Sequence, residues 1–208
     1  HDRRGLDEDG EWLWGGDMCL PREIFVDKAD RLCVRPPREI DDWLTHERTV
    51  SIQPTFGNWM SARANARGSS ASGRIALGDE RSALMRLTVV ADFEDLRGGL
   101  GLYLFTDTEL ASGLRLFWDA ATGRVSLSDV IAGEESDRMP EPLVANQLPA
   151  RSDGTLMIDV YLRGNILEVF VDRQVALTHR CYTVDQRWAH VLVEDGIANF
   201  EVSFATDA

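Results

Sequence analysis

Residues 156–172 read L-M-I-D-V-Y-L-R-G-N-I-L-E-V-F-V-D. Apolar residues occupy every second position in the first half, which is the period-two pattern of a half-buried β-strand. Gly164 and Asn165 follow, and both residue types tolerate the positive φ angles of a tight hairpin turn. The run 166–172 then returns as a second strand. This stretch therefore predicts a β-hairpin with one face in a core.

The same alternation recurs along the chain, and short turns separate the runs. Thr122-Gly123 and Asp195-Gly196 are turn signals, and we expect the second, like Gly164-Asn165, to close a tight hairpin. Short strands in succession are typical of a sandwich or barrel. We predict an all-β, two-sheet antiparallel β-sandwich with roughly a dozen strands. The residues expected to face its core are Leu87, Val89, Leu116, Trp118, Ile158, Val160, Val169, Phe200 and Val202.

Two stretches lack periodicity, and one short helix is predicted. Residues 62–73 are rich in Ser, Ala, Gly and Asn, and residues 133–149 are acidic and contain three prolines. Both compositions predict surface loops. A helix is predicted over 38–44, directly after a proline pair.

The first 45 residues form the other predicted unit of the chain. Runs 18–27 and 31–35 predict a hairpin, and Pro21 indicates a sheet edge or a bulge. We therefore divide the chain into a junction hairpin with a short helix over 1–45 and a β-sandwich domain over 46–208.

Charge and cysteine content exclude several classes of function. The 208 residues contain 22 Lys and Arg against 35 Asp and Glu, a net charge of −13. This balance opposes nucleic-acid partners and anionic membrane surfaces, whereas neutral sugars fit. The three cysteines form no C-x-x-C pair, which predicts reduced, mostly buried thiols. No signal peptide is recognisable, so a cytoplasmic location is favoured over secretion.

Residues 12–24 read W-L-W-G-G-D-M-C-L-P-R-E-I, and the proline pair is followed by R-E-I at 38–40. This order resembles the junction between the N-terminal five-bladed β-propeller and the C-terminal β-sandwich of glycoside hydrolase family 32. Residues 159–172 are similar to the late hairpin of that family, V-D-x-S-x-[IV]-E-V-[FY]-x-N. Residues 177–182 are similar to its next strand, T-S-R-x-[FY]. Leu162, Gly164 and His179 depart from these patterns, which indicates a divergent member.

The resemblance implies both a fold and a limit on chemistry. The family contains retaining enzymes such as invertases, levanases, inulinases and sucrose-6-phosphate hydrolases, and its sandwich is a jelly-roll of the concanavalin A-like lectin and glucanase type. Its catalytic carboxylates lie in propeller motifs, W-M-N-D-P-N-G, R-D-P and E-C, none of which occurs here. A retaining mechanism needs two carboxylates about 5 Å apart. We therefore expect a non-catalytic accessory domain that stabilises a propeller of the same parent protein.

Two other function classes remain open. One is a carbohydrate-binding, lectin-like module, which shares this architecture. The other is a self-sufficient hydrolase that uses loop carboxylates, for which the sequence offers no motif. A sugar-binding module would expose an aromatic residue beside converging polar groups.

Candidate site residues follow from these alternatives. Tryptophan rings can stack on sugars, so Trp59 and its neighbour Asn58 are the predicted sugar contacts. The predicted propeller interface consists of Trp12, Trp14, Leu20, Pro21, Arg22 and Glu23. The four histidines lack metal-ligand spacing, and no glycine-rich phosphate loop precedes a helix, so we expect neither a metal nor a cofactor. A homodimer and an oligosaccharide ligand remain open.

Overall fold

The computed structural model describes residues 19–77, 83–106, 112–131, 142–181 and 188–207. Within these ranges the chain forms one short α-helix and many strands. The elements are β1 (Glu23–Val26), β2 (Leu32–Arg35), α1 (Arg38–Trp43), β3 (His46–Thr49), β4 (Gln53–Phe56), β5 (Asn58–Met60), β6 (Arg63–Asn65), β7 (Ser70–Ala76), β8 (Leu84–Glu94), β9 (Gly99–Thr106), β10 (Ser112–Asp119), β11 (Arg124–Ile131), β12 (Val144–Gln147), β13 (Gly154–Arg163), β14 (Ile166–Val171), β15 (Val175–Arg180), β16 (Trp188–Glu194) and β17 (Ile197–Thr206). None of the described helices is long and apolar enough to cross a membrane.

The strands form two large antiparallel sheets. The seven-stranded sheet has the order β12-β11-β10-β9-β16-β7-β4. The eight-stranded sheet has the order β15-β14-β13-β8-β17-β6-β5, and β3 also pairs with β17. Strands β1 and β2 form a separate hairpin. The predicted all-β, two-sheet sandwich is therefore confirmed.

The core lies between the two sheets. All nine residues predicted to face it are buried in one cluster, so these predictions are confirmed. Trp118 from β10 packs against Phe93 from β8, with ring centroids 5.5 Å apart. Alternate residues of each strand supply this cluster because side chains in a strand point to opposite faces.

The surface loop predicted over residues 62–73 is wrong. Strands β6 and β7 occupy most of it, and Ala64 and Ala71 are completely buried. A Cβ atom added at Gly73 would lie 2.3 Å from the side chain of Ile52. The small residues therefore allow close packing between chain segments, where we had interpreted them as loop composition.

The surface loop predicted over residues 133–149 is wrong in its last part. Residues 144–147 form β12, an edge strand paired with β11, while residues 133–141 lie outside the described ranges.

The Asp195-Gly196 hairpin is also wrong. These residues connect β16 to β17, which lie in different sheets. The turn composition indicates the backbone conformation at Asp195, which has a φ of 42°. It does not determine which strands pair. The Gly164-Asn165 turn does join the paired strands β13 and β14, as predicted.

The N-terminal hairpin and helix pack on the outer face of the eight-stranded sheet. The predicted helix is confirmed as α1, and the first predicted strand is shorter than expected, because it begins after Pro21. A second apolar cluster joins this segment to the sheet through Leu20, Ile40, Leu44, Leu84, Tyr161, Phe170 and Ala205. All three cysteines are free, and Cys33 and Cys181 are buried.

Candidate functional site

The L-P-R-E segment, residues 20–23, is bound to the sandwich through Glu168. The backbone N–H of Leu20 donates to one carboxylate oxygen of Glu168. The guanidinium of Arg22 donates to the other oxygen at 3.0 Å. Arg22 also donates to the hydroxyl of Thr178 on β15 and lies 5.8 Å from the ring centroid of Phe170. Sequence similarity had selected both the segment and the hairpin that carries Glu168, and the structure brings them into contact.

Burial explains why Glu168 requires these two partners. Its side chain is only 1% exposed, so an unpaired carboxylate would be strongly destabilising there. Hydrogen bonds in which one group is ionised are about twice as strong as neutral ones. The neighbouring Glu23 instead pairs with Arg35 across the hairpin at 2.7 Å, and this hydrogen bond lowers the pKa of Glu23.

A strip of apolar side chains on the β1–β2 hairpin faces solvent. Ile24, Val26 and Leu32 are 69%, 61% and 69% exposed. They share one face of the hairpin, because Val26 lies opposite Leu32 and Ile24 follows the same alternation. We call these three residues the hairpin strip. The hairpin strip was not predicted from the sequence, although the alternation in I-F-V and L-C-V is a signal for such a face.

The predicted interface residues are placed in different surroundings. The side chain of Leu20 is buried and Arg22 faces Glu168, so both contact this chain's own sandwich. Pro21 is exposed and lies two residues before β1. Trp12 and Trp14 lie outside the described residues. Their role at a propeller interface stays a prediction.

A groove of about 710 Å³ lies along β17, at the point where the strand paired with β17 on one side changes from β6 to β3. Residues 197–199 of β17 pair with β6, and residues 203–206 pair with β3. Residues 200–202 of β17 therefore lie between the segment paired with β6 and the segment paired with β3. Trp59 forms part of the wall, so we call this cavity the Trp59 groove. Its polar lining consists of Thr49, Ser51, Ser61, Thr88, Glu201 and Ser203.

Trp59 is held in a fixed position beside this groove. Its indole N–H donates to the carbonyl oxygen of Phe56 at 2.9 Å, and its ring lies 6.0 Å from that of Phe200. Asn58 is exposed on the same strand and does not line the groove. The structure thus brings Trp59, but not Asn58, to a cavity.

A network of charged and polar groups lies next to the groove. Thr88 donates to a carboxylate oxygen of Asp159 at 2.7 Å. Burial raises the pKa of Asp159, and the hydrogen bond from Thr88 partly opposes this effect. Arg86 pairs with Asp41 of α1 and with Glu47 of β3. These contacts fasten the helix and β3 to the sheet that forms the groove floor.

The chemistry available in the groove is that of hydrogen bonding. Glu201 is the single carboxylate among its lining residues, whereas a retaining glycosidase needs two. Within the described ranges, no group of three or more His, Cys, Asp or Glu residues is arranged to hold a metal ion. The lining offers hydroxyl groups, one carboxylate and an aromatic wall, which is a typical composition for binding a small polar ligand.

Comparison with known families decides the assignment. The family model described as "Glycosyl hydrolases family 32 C terminal" matches residues 56–206. The chain belongs to the glycoside hydrolase family 32 C-terminal family. The resemblance seen in the sequence is therefore confirmed. The L-P-R-E segment, residues 20–23, lies N-terminal to the matched region of this family 32 domain and outside it.

Solved structures show the same fold at low sequence identity. The exo-inulinase of Aspergillus awamori matches with a TM-score of 0.57 and 14% identity over 91% of this chain and 35% of its own. The sucrose-6-phosphate hydrolase of Lactobacillus gasseri matches with a TM-score of 0.54 and 10% identity over 89% of this chain and 32% of its own. The family 32 domain thus spans about a third of each enzyme. The carbohydrate binding module CBM66 of Bacillus subtilis matches with a TM-score of 0.51 and 15% identity over 76% of this chain and 92% of its own. No curated protein sequence matches.

Proposed function

We propose that this chain is the non-catalytic β-sandwich of a β-fructosidase-type glycoside hydrolase, a class that hydrolyses terminal β-fructosides such as sucrose, levan and inulin. The observation that carries the proposal is the family match over residues 56–206. The alignment with about a third of an inulinase and of a sucrose-6-phosphate hydrolase supports the enzyme class. In this proposal a catalytic propeller in the same protein supplies the acidic residues, and the sandwich stabilises it.

The hairpin strip supports a docking role for the N-terminal hairpin. Contiguous exposed apolar surface normally marks an interaction site. Arg22 and Leu20 bind Glu168, so the base of the hairpin has a fixed position on the sandwich. A propeller that contacts Ile24, Val26 and Leu32 would then be held at a defined position. We propose that Trp12 and Trp14, which precede this hairpin in sequence, extend the same interface.

The first test concerns the chain itself and its gene. We expect the purified chain to release no fructose from sucrose, inulin or levan, because its sequence lacks the three acidic propeller motifs of the family. We expect the coding sequence upstream of His1 to encode a propeller with the three acidic motifs. Turnover that survives purification and disappears when a carboxylate of this chain is mutated would contradict the proposal, as would an upstream sequence without a catalytic domain.

The second test concerns docking in the complete gene product. The triple variant Ile24→Ser, Val26→Ser and Leu32→Ser should inactivate faster on heating, because apolar contact area with the propeller is lost. Met60 is 75% exposed on the other end of the sandwich, so Met60→Ser is the matched control and should behave as wild type. Equal inactivation rates for all three proteins would place the propeller elsewhere.

The Trp59 groove favours a second candidate function, a carbohydrate-binding module. Its volume of about 710 Å³ is within the range of small-molecule sites, roughly 300–1,000 Å³. Hydroxyl side chains and Glu201 can exchange hydrogen bonds with a sugar, and an indole face can pack on its C–H surface. The likeness in fold to a carbohydrate binding module is consistent with this candidate.

Titration calorimetry with short inulin oligosaccharides tests the second candidate. Glu201→Gln should weaken binding without affecting the fold, since Glu201 is exposed. Trp59→Ala should abolish binding, and Trp43→Ala is its matched control because Trp43 is exposed and does not line the groove. Absence of binding heat with wild-type protein, or equal affinity in Trp59→Ala, would exclude the groove as a sugar site.

A further inference from the structure

The outer face of the seven-stranded sheet carries a row of polar side chains in register across six strands. The row consists of Gln53, Arg74, His190, Tyr103, Arg115 and Ser128, each directly opposite the next. Residues in such positions share a face and lie about 5 Å apart. Ala189 and Val191, which flank His190 in β16, belong to the core cluster. His190 and its row therefore face away from the core.

His190 is the unusual member of this row. Its side chain is only 1% exposed, yet neither ring nitrogen has a hydrogen-bond partner within the part of the chain that the structure describes. The same is true of the Nε atom of Arg74 and of the Ser72 hydroxyl in the neighbouring row. Buried polar groups in folded proteins are nearly always partnered. Within the described ranges, three such groups on adjacent strands are thus available to a ligand.

The neighbours of His190 are suited to hold a ligand. The guanidinium of Arg74 lies 4.6 Å from the ring centroid of Trp188 and donates to the side-chain oxygen of Gln53 at 3.0 Å. Across the described ranges, Arg74 has no carboxylate partner. Tyr103, on the other side of His190, is partly exposed. Two aromatic rings, one cation and one imidazole thus lie within three adjacent strands.

We propose that Arg74, His190 and Tyr103 form a binding site for a neutral sugar ring on the seven-stranded sheet. This site is separate from the Trp59 groove, which lies beside β17 of the other sheet. The sugar-site proposal goes beyond the proposed stabilisation of a propeller, and it does not depend on that proposed function.

The chemistry of the three side chains selects a sugar hydroxyl. Burial, and to a smaller extent Arg74, lowers the pKa of His190 to about 4, so the imidazole is neutral at pH 7. A neutral imidazole presents one donor and one acceptor, and a hydroxyl group can satisfy both. The guanidinium of Arg74 presents several donors in a fixed plane, which can reach two neighbouring hydroxyls. The net charge of −13 disfavours an anionic ligand.

In this proposal the sugar reaches the imidazole when neighbouring side chains move. Arg74 and Tyr103 flank it on both sides, and both are partly exposed. Rotamer changes of partly exposed side chains occur on the picosecond to nanosecond scale. In this proposal a sugar binds between Arg74 and Tyr103 and hydrogen-bonds to His190, while the rings of Trp188 and Tyr103 pack against its C–H groups.

NMR spectroscopy of the histidine rings tests the proposal on the intact chain. The chain has four histidines, so the His190 ring signals can be followed individually. Methyl β-fructofuranoside and methyl α-glucopyranoside are titrated in parallel. We expect a saturable shift of the His190 signals with at least one of them. Arg74→Gln should weaken this binding about tenfold, the loss of one hydrogen bond from a charged donor, and Tyr103→Phe should weaken it by a smaller factor.

Matched variants make the result specific. Arg124→Gln changes an exposed arginine on the same sheet outside the row, and it should leave the affinity unchanged. Trp59→Ala should also leave it unchanged. The proposal is overturned if no sugar shifts the His190 signals saturably, if the affinity survives in Arg74→Gln, or if Trp59→Ala removes it. The last result would assign the sugar to the Trp59 groove instead. Thermal unfolding of each variant verifies that it is folded.

Discussion

Arg22 and Glu168 form an ion pair, 3.0 Å from Nη2 to Oε2, between positions 146 residues apart in the chain. The carboxylate is buried in the sandwich, while the guanidinium belongs to the segment that leads into the hairpin strip. The pair therefore links the position of that hairpin to β14, the strand next to the edge strand β15 of the eight-stranded sheet. Any domain bound to the hairpin would be held through this contact.

Glu168→Ala should destabilise the chain by about 3 kcal/mol, because removal of one partner leaves the Arg22 cation and the Leu20 N–H without a buried acceptor. Urea unfolding at pH 7 measures the loss. Glu23→Gln is the matched control, since the Glu23–Arg35 pair is exposed and should contribute little. Similar losses in both variants would show that the Glu168 contacts do not hold the segment.

Val160→Asp should destabilise the domain by several kcal/mol or prevent folding, because it places an unpaired charge between the sheets. Arg163→Asp changes an exposed residue at the end of the same strand and serves as the control. Thermal unfolding compares the two variants. Wild-type stability of Val160→Asp would mean that this face of β13 is not in the core.

Gly101→Ala should destabilise the chain by about 3 kcal/mol, because the new Cβ would lie 2.2 Å from the backbone oxygen of Leu116, which cannot move away without disturbing β10. Gly68→Ala is the comparison. Its Cβ would meet nothing within 4 Å, although its φ of 63° is unfavourable for alanine, so a loss of about 1 kcal/mol is expected. Denaturant unfolding distinguishes the two; equal losses would contradict the close approach of β9 and β10.

The stability contributed by His190 should be lost as the pH falls. The unfolded chain protonates this residue near its ordinary pKa of 6.5, whereas the folded chain does so only near 4. Protons therefore bind the unfolded state preferentially between these values, and the free energy of unfolding decreases by on the order of 2–3 kcal/mol. Urea unfolding at pH 7 and pH 4.5 measures this decrease.

His190→Gln should make the stability less dependent on pH over this window, while His46→Gln, which changes an exposed histidine, should not. The same pH dependence in wild type and His190→Gln would show that burial does not shift the pKa of this imidazole.

Strands such as β8 and β13 were predictable from the sequence because one of their faces lies in the core, which imposes a period of two on their side chains. The partners of the strands were less predictable. Asp195-Gly196 has the composition of a hairpin turn, yet it connects two sheets, since sheet membership is decided by contacts that are distant in sequence. The stretch 62–73 was assigned to a loop because small residues that pack closely have the same composition as residues that avoid packing.

In the candidate sites, too, single residues could be predicted from local sequence, whereas their arrangement depends on contacts that are distant in sequence. Trp59 could be selected because a tryptophan among polar residues is unusual, but the groove depends on how β3 and β6 share β17. The contact between Arg22 and Glu168 joins two segments that sequence similarity had selected separately. Arg74 and His190 carried no local signal, because their row exists only once six strands are in register.

Strand β17 occupies the middle of its sheet although it is the last strand in chain order. Val202 lies opposite Val89, 113 positions earlier. During synthesis on the ribosome, β8 therefore emerges long before the partner that covers one of its edges. Until β17 follows, that edge presents free backbone N–H and C=O groups, a state in which chains associate wrongly. The nascent domain should thus depend on chaperones until its final ten-residue strand has left the ribosome, and shortening that strand should cause aggregation before any loss of binding is measured.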